Sequence, residues 1–236
     1  ELSSAASDVY KRQGQAMHAA EGVKQGEITD MNKFSTAVGK TVSAAERNAD
    51  ITISTIHIVT PGGNPTVTKH VQTIDIHNQV ISRRDIQRIA HNNSHQNLPV
   101  GHVRIQNQPG LYQLDDQRQI ENPLGMCGRQ LSLQFSQLSV SQTSYANFSQ
   151  AVQQCHLELG SIHHSAVMAG HACLTEDDRE LGTLLIDFGG GTTSVAIFSE
   201  GQLRFAGTIR MGGLNVTRDI AKMPVSYTHL TLPTRA

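Results

Sequence analysis

The fold is decided by the stretch Leu184-Leu185-Ile186-Asp187-Phe188-Gly189-Gly190-Gly191-Thr192-Thr193-Ser194-Val195-Ala196-Ile197-Phe198. A short apolar run ends at an acidic residue, and three glycines and two threonines separate it from a second apolar run. Short apolar runs bounded by glycine are typical of buried strands. The stretch therefore predicts a strand, a tight turn and a second strand.

The glycine-rich turn has the composition of a phosphate-binding site. Glycine is needed where the backbone takes a positive φ or approaches a ligand closely, and successive N–H groups in such a turn form an anion site. Asp187, at the end of the first strand, is placed to hold a hydrated Mg²⁺, because this ion prefers oxygen ligands. Thr192 and Thr193 offer hydroxyls to the same phosphates. A plain β-hairpin with a glycine turn is the alternative that the local pattern leaves open.

Other catalytic and phosphate motifs are excluded by the residues around this turn and along the chain. No Lys-Ser or Lys-Thr follows the glycines, so the turn is not a Walker A loop. A strand rather than a helix is predicted after it, which excludes a Rossmann fingerprint. The sequence also contains no Gly-x-Ser-x-Gly and no His-Glu-x-x-His motif.

The turn and its neighbours resemble a known family. Asp-Phe-Gly-Gly-Gly-Thr at 187–192 resembles the second phosphate-binding loop of the actin-like ATPase superfamily. Four flanking segments narrow the resemblance to the FtsA family of bacterial cell-division proteins: 174–182 (Leu-Thr-Glu-Asp-Asp-Arg-Glu-Leu-Gly), 212–221 (Gly-Gly-Leu-Asn-Val-Thr-Arg-Asp-Ile-Ala), 122–125 (Asn-Pro-Leu-Gly) and 128–131 (Gly-Arg-Gln-Leu). The resemblance extends from about residue 21 to residue 221 and is strongest from Thr175 onward.

The resemblance implies an α/β actin-like (ribonuclease-H-like) fold, present here as a fragment with an inserted α+β subdomain and an incomplete second lobe. It implies ATP and Mg²⁺ as cofactors of the whole protein, with Asp187 at the metal and no residue assigned as catalytic. The residues that it places at the phosphates, the last two as weaker candidates, are Gly189, Gly190, Gly191, Thr192, Thr193, Gly212 and Gly213.

The same resemblance implies a role in cell division. FtsA-like proteins bind ATP, assemble into actin-like filaments and link FtsZ to the cytoplasmic membrane at the division septum. The inserted subdomain is associated with self-association and with contacts to other division proteins. Membrane contact is made through a C-terminal amphipathic helix that this sequence does not include. A pilus-assembly scaffold and a sugar-kinase-type member of the superfamily are the alternative functions.

The domain organisation follows from the same alignment of motifs. Pro61-Gly62-Gly63-Asn64-Pro65 is a strong breaker and a candidate boundary. We assign residues 61–140 to the inserted subdomain and 183–222 to the start of the second lobe. The first actin-like lobe is then divided between residues 14–60 and 141–182.

Both ends of the sequence fall outside the resemblance. Residues 1–13 and 223–236 match nothing in the family, and we interpret them as artefactual, adapter-like tails on an internal piece of a longer protein. The first phosphate loop and the adenosine-binding loop of the superfamily are not found in the sequence. Because phosphate binding needs groups from both lobes, we expect this chain alone to bind ATP poorly and to be inactive. Whether the whole protein hydrolyses ATP stays open.

Composition limits the remaining function classes. The formal net charge of −1 gives no electrostatic case for nucleic-acid binding. The three cysteines are far apart and form no Cys-x-x-Cys motif, which favours a reducing, cytoplasmic compartment. No apolar run approaches the roughly 20 residues that span a bilayer.

Periodicity predicts the other elements. Apolar residues at three- and four-residue steps predict a helix from about residue 28 to 48, with Thr29 or Asp30 as its N-cap. Alternation predicts strands over 51–59, 66–76, 100–113, 130–140, 157–165 and 202–210. Further helices are predicted at 82–90, 145–155, 166–174 and 215–222. Residues 115–128 are predicted to form a loop, and the charged run 175–180 an exposed crossover.

The histidines give little support for a metal site. His91 and His95 are four residues apart, but the polar residues between and after them favour a loop, and no third ligand is evident. His163 and His164 are adjacent in a predicted strand, so their side chains are expected on opposite faces and do not share a metal. His57, His70 and His77 are interpreted as packed or solvated.

Overall fold

The computed structural model of the protein describes residues 14–77, 79–91 and 98–222. The helices in this part of the chain are α1 Met31–Ala49, α2 Arg83–His91, α3 Gln142–Gln153, α4 Ser165–Cys173, α5 Glu176–Leu181 and α6 Gly213–Lys222. The strands are β1 Val23–Lys24, β2 Glu27–Ile28, β3 Thr55–Thr60, β4 Thr66–Asp75, β5 His102–Leu114, β6 Gln117–Ile120, β7 Gln130–Ser141, β8 Glu158–His164, β9 Thr183–Phe188, β10 Thr193–Ser199 and β11 Gln202–Ile209.

The first long helix is defined by its two ends. The Asp30 side chain accepts a hydrogen bond from the backbone N–H of Lys33. Asp30 is therefore the N-cap, rather than Thr29, the other residue predicted for this position. Asp50 ends the helix in the left-handed conformation, with φ of 54°. α1 packs against α3 through an edge-to-face contact of Phe34 with Phe148, whose ring centroids are 5.8 Å apart.

A two-stranded parallel sheet lies beside these helices. β3 pairs with β8, although about 100 residues separate them in sequence. Parallel strands need a long crossover, and here the crossover contains a complete second sheet. Side chains at the end of β8 alternate between the two faces of the sheet. His164 is buried on one face and His163 lies on the other, as the sequence predicted.

That second sheet is four-stranded and antiparallel, in the order β4-β7-β5-β6, and α2 covers one of its faces. Its core is formed by apolar side chains from all four strands and the helix, chiefly Ile74, Ile81, Ile89, Leu114, Ile120, Leu131, Leu133 and Phe135. The predicted loop 115–128 contains strand β6, which the sequence analysis missed. Its first three residues are polar and exposed, and only Ile120 reaches the core.

The third sheet is three-stranded and antiparallel, in the order β11-β10-β9. The predicted hairpin is confirmed, because β9 and β10 pair in continuous register from Phe188 with Thr193 to Thr183 with Phe198. One face packs against α4 around Phe198. Leu138 of β7 belongs to the same buried cluster, so one end of the four-stranded sheet shares a core with this hairpin.

Candidate functional site

The glycine loop between β9 and β10 is a tight turn. The N–H of Gly189 donates to the carbonyl of Thr192 at 2.9 Å, and the Thr192 side chain is buried. None of the three loop glycines has φ in the left-handed region, so positive φ is not the reason for glycine here. Within the described residues, the N–H groups of Gly190 and Gly191 donate to no protein acceptor. Two successive unpaired N–H groups are the arrangement that binds an anion.

The second glycine pair packs directly on this loop. The N–H of Gly213 donates to the carbonyl of Gly189 at 3.0 Å, and that of Leu214 to the carbonyl of Gly190 at 2.8 Å. A Cβ on Gly212 would collide with the carbonyl oxygens of Gly189 and Gly190. Close backbone approach therefore explains glycine at position 212. The start of α6 holds the loop carbonyls away from the side on which the free N–H groups lie.

Asp187 begins a polar row across the three strands. The strand register places it opposite Ser194, and Ser194 opposite Thr208, so the three side chains share one face of the sheet. Ser194 is fully buried, and its Oγ has no hydrogen-bond partner in the described part of the chain. A buried hydroxyl without a partner is costly, which marks this row as a place where a polar ligand fits.

His164, at the end of β8, extends this row through its contact with Thr208. Its Nε2 lies 3.0 Å from Oγ1 of Thr208, and that hydroxyl donates its proton to the carbonyl of Pro61 at 2.6 Å. Because a hydroxyl has one proton, Nε2 of His164 must be the donor to Thr208. The tautomer is thereby fixed, and Nδ1 carries the lone pair.

His164 remains neutral at pH 7. Burial lowers its pKa from 6.5 to about 4, and the charge of Asp187 offsets part of that shift. Nδ1 is buried and has no partner among the described residues, so it is an unused acceptor. The sequence analysis placed one of the two adjacent histidines in the core but did not assign it to the site. No local signal pointed to this contact, because helices α4 and α5 separate His164 from β9 in the sequence.

The remaining predicted residues have mixed surroundings. The Thr193 hydroxyl donates to the carbonyl of Met211 at 2.8 Å, so it holds the segment that leads into Gly212. Opposite the loop lies the turn between β1 and β2, where Gln25 donates from Nε2 to the carbonyl of Arg210 at 2.9 Å. No group of three His, Cys, Asp or Glu side chains converges in residues 14–77, 79–91 and 98–222. Asp187 is thus a single carboxylate, which suits a hydrated Mg²⁺ better than a fully protein-bound metal.

The comparisons with known proteins agree with this architecture. The model of the SHS2 domain inserted in FtsA matches residues 62–138, and the model of cell division protein FtsA matches residues 184–225. Cell division protein FtsA of Rhizobium meliloti (strain 1021) is 32% identical over 203 residues, which cover 86% of this chain and 46% of that protein. The chain belongs to the FtsA family. Cell division protein FtsA of Escherichia coli (strain K12) is 26% identical over 202 residues, which cover 86% of this chain and 48% of that protein.

These curated relatives are named as cell division proteins, and the chain spans about half of their length. A solved structure of the PilM-PilN type IV pilus biogenesis complex has the same fold. Its TM-score is 0.51 at 12% identity, over 86% of this chain and 55% of that one. The expected fold class, actin-like with an inserted domain and covered in part, is confirmed. Among the described residues, no helix combines the length and apolar character needed to cross a bilayer.

Proposed function

We propose that residues 187–193, with Gly212 and Gly213, bind the phosphates of Mg·ATP in the whole FtsA-family protein. The observation that carries the proposal is the pair of unpaired N–H groups at Gly190 and Gly191, held beside Asp187. Successive backbone N–H groups can bind phosphate oxygens without help from a lysine. This fits the glycine loop, which contains no lysine. Asp187 would hold the water shell of the metal ion.

The polar row fits the same ligand. Ser194 Oγ and Nδ1 of His164 are buried and lack partners among the described residues, so each has hydrogen-bonding capacity for a water bound to the ion. Thr192 would supply a hydroxyl to the phosphates. Thr193 would act mainly by holding Met211 in place, since its proton is already donated there. When bound, Mg·ATP would supply phosphate oxygens to the loop N–H groups, and a metal ion whose water shell Asp187 would hold.

We further propose that the whole protein self-assembles, links FtsZ to the cytoplasmic face of the inner membrane at the division site, and contacts other division proteins through its inserted subdomain. The family match and the names of the curated relatives support a role in division. The match to the inserted SHS2 domain supports residues 61–140 as that subdomain. The flanking ranges 14–60 and 141–182 would form the first lobe, and 183–222 the start of the second.

Phosphate binding is tested by titrating the 236-residue chain with Mg·ATP while backbone amide NMR shifts are recorded. The amides of Gly190 and Gly191 should shift most, and saturation should require millimolar ligand, because this chain provides one phosphate-binding loop. The turn at Glu200-Gly201, a glycine turn at the far end of the same sheet, is the internal control and should not shift.

Two variants make this test decisive. Asp187→Asn should weaken the response to Mg·ATP more than the response to ATP with EDTA, because only the former uses the carboxylate. Gly212→Ala should abolish the shifts by displacing the loop. Shifts that are spread over the surface and survive both substitutions would contradict a phosphate site here.

The partner proposal is tested separately with the full-length protein from which this sequence derives. Co-precipitation with FtsZ is expected, together with filaments that form in the presence of ATP. A protein that phosphorylates a sugar and does not bind FtsZ would contradict the proposal, even if the phosphate loop binds Mg·ATP.

A further inference from the structure

A cavity lies between the inserted sheet and one end of the three-stranded sheet. The turn Glu200-Gly201 joins β10 to β11 at the end of that sheet that is remote from the glycine loop. Beside this turn is a cavity of about 320 Å³, whose other walls are formed by residues of β4, β5, β6 and β7. Its volume is at the lower end of the range for ligand pockets, roughly 300–1,000 Å³. The cavity therefore has room for a small organic molecule.

Gln108 of β5 fixes the turn beside the cavity. Its Nε2 donates to the carbonyl of Gly201 at 3.2 Å, and its Oε1 accepts from the N–H of Leu203 at 3.2 Å. These two backbone groups flank Gln202, which lines the cavity. The Gln108 amide thus also sets the position of Gln202 against the inserted sheet.

Gln202 is the buried polar residue of the cavity wall. Only 3% of it is exposed, and its Oε1 has no hydrogen-bond partner among the described residues. Its amide lies on the backbone of β5 at Gly110, where a Cβ would collide with it. A buried amide oxygen without a partner is costly, so this wall favours an occupant that donates a hydrogen bond.

The cavity wall also carries an unpaired positive charge and a carboxylate. Gln117 pairs with the core residue Leu114, so the next residue, Arg118, points to the opposite face of the inserted sheet, where it lines the cavity. Arg118 forms no ion pair in the part of the chain that the structure describes. Glu200 accepts from Arg204 through Oε2, which leaves its Oε1 outside that ion pair.

These groups limit the chemistry of an occupant. A simple anion fits Arg118 but meets two acceptors, the Glu200 carboxylate and Oε1 of Gln202. A simple cation fits those two acceptors but is repelled by Arg118. A single water molecule, whose share of liquid volume is about 30 Å³, leaves most of the cavity empty. The occupant that satisfies all three groups carries a negative group and a positive donor on one small molecule.

We propose that this cavity binds a zwitterionic amino acid, with its carboxylate on Arg118 and its ammonium group on Oε1 of Gln202 and the free oxygen of Glu200. A guanidinium matches a carboxylate through two parallel hydrogen bonds. An ammonium group has three donors, which suffices for both acceptors. Val71 offers an apolar contact for a side chain. The site is independent of the phosphate loop, because no residue of 187–193 lines the cavity.

The 236-residue chain is titrated with each standard amino acid while NMR signals of the Arg118 Nε–H and the Gln202 side-chain amide are recorded. At least one amino acid should shift both signals. Two matched probes are then made from it: its amide, which lacks the carboxylate, and its deaminated acid, which lacks the ammonium group. Each should bind about tenfold more weakly or worse, because each loses hydrogen bonds to a charged group.

Variants assign the two ends of the ligand. Arg118→Gln should weaken binding of the amino acid about tenfold or more. Arg83→Gln removes the same charge from an exposed position of α2 outside the cavity, and this control should bind as the wild type does. Gln202→Met removes the buried acceptor, so it should weaken binding of the amino acid and of its amide, but not of the deaminated acid.

Circular dichroism establishes whether each variant is folded, and the signals of the wild type test the site even if a variant unfolds. Arg118 and Gln202 signals that respond to no amino acid would overturn the proposal. An amide that binds as tightly as its parent amino acid would do the same, since the carboxylate would then not be recognised.

Discussion

The two antiparallel sheets of this protein differ in how completely they bury their apolar residues. In the four-stranded sheet, Leu131 and Phe135 are 0% exposed, and α2 closes the core over them. In the three-stranded sheet, the face around Phe198 is equally buried, but on the other face Ile186 and Phe188 are 57% and 65% exposed. The inserted subdomain thus completes its own core, whereas the sheet that carries the glycine loop is covered on one face within the described residues.

The difference shows what a continuous apolar run encodes. β7 alternates polar and apolar residues over its first half, which suits a sheet with one buried face. β9 contains three successive apolar residues after Thr183, a pattern typical of strands that are buried on both faces. In the structure, alternate residues of this strand are half-buried and the others are exposed, so its exposed face is more apolar than a solvent-facing sheet requires.

The largest expected effect compares one substitution in the two sheets. Phe135→Ala should lower the free energy of unfolding by about 3–5 kcal/mol, because it leaves a cavity in a closed core. Phe188→Ala should lower it by less than about 1 kcal/mol, since its ring is already mostly in water. Urea denaturation of both variants measures the difference. Equal losses would show that the exposed face is covered in solution.

A second prediction concerns the polar contact between the three-stranded sheet and His164 of β8. His164 has a pKa of about 4 in the folded protein against 6.5 when unfolded, so the unfolded chain binds more protons between these values. Its contribution is therefore constant above about pH 6.5 and is lost as the pH falls towards about 4, by on the order of 3 kcal/mol.

The measurement is urea denaturation at pH 7 and at about pH 4.5 of the wild type and of His164→Gln, which keeps an N–H donor but does not titrate. The variant should lose less stability on acidification than the wild type. The same pH dependence in both proteins would mean that His164 is not the titrating group.

The Thr208 hydroxyl, which lies between His164 and the carbonyl of Pro61, should have a smaller effect. Thr208→Val removes the acceptor for Nε2 of His164 and the donor to Pro61, which should cost about 1–3 kcal/mol. Thr73→Val is the matched control, because Thr73 is exposed on β4 and contacts only the Ser132 hydroxyl. It should change stability by less than about 0.5 kcal/mol. A control that costs as much as Thr208→Val would argue against the buried row.

The sequence predicted those helices and strands whose periodicity and capping residues lie within a single segment of the chain. The hairpin at Asp187, the helix that begins at Asp30 and the long strands of the inserted sheet all follow from periodicity and capping. Strand β6 was missed because three of its four residues are polar and exposed, so it pairs through its backbone.

Contacts between distant segments could not be predicted in the same way. The contact of His57 with Ser161 depends on a parallel register and a bulge across about 100 residues. The connection from His164 to Thr208 depends on how the parallel sheet packs against the three-stranded sheet. Neither register nor packing leaves a periodic trace in either segment, and the exposure of Phe188 likewise depends on what covers the sheet.

The smallest expected effect compares two helix caps of the same design. Ser82 and Thr175 each accept from the backbone N–H three residues later, at Asp85 and Asp178, and each aspartate accepts in return from its cap. These hydrogen bonds hold the pKa of both aspartates below the usual value.

The two caps should nevertheless contribute differently to global stability. Ser82→Ala should cost about 1 kcal/mol, because α2 carries Ile89 into the core of the inserted sheet and cannot fray without opening it. Thr175→Ala should cost less than about 0.5 kcal/mol, since α5 buries no residue and can unfold alone. Hydrogen exchange at the α5 amides should still accelerate in Thr175→Ala, which separates local fraying from a cap that has no effect. If both variants lowered the global free energy of unfolding equally, α5 would be part of the cooperative core, and the contrast between the closed and the open sheet would have to be redrawn to include it.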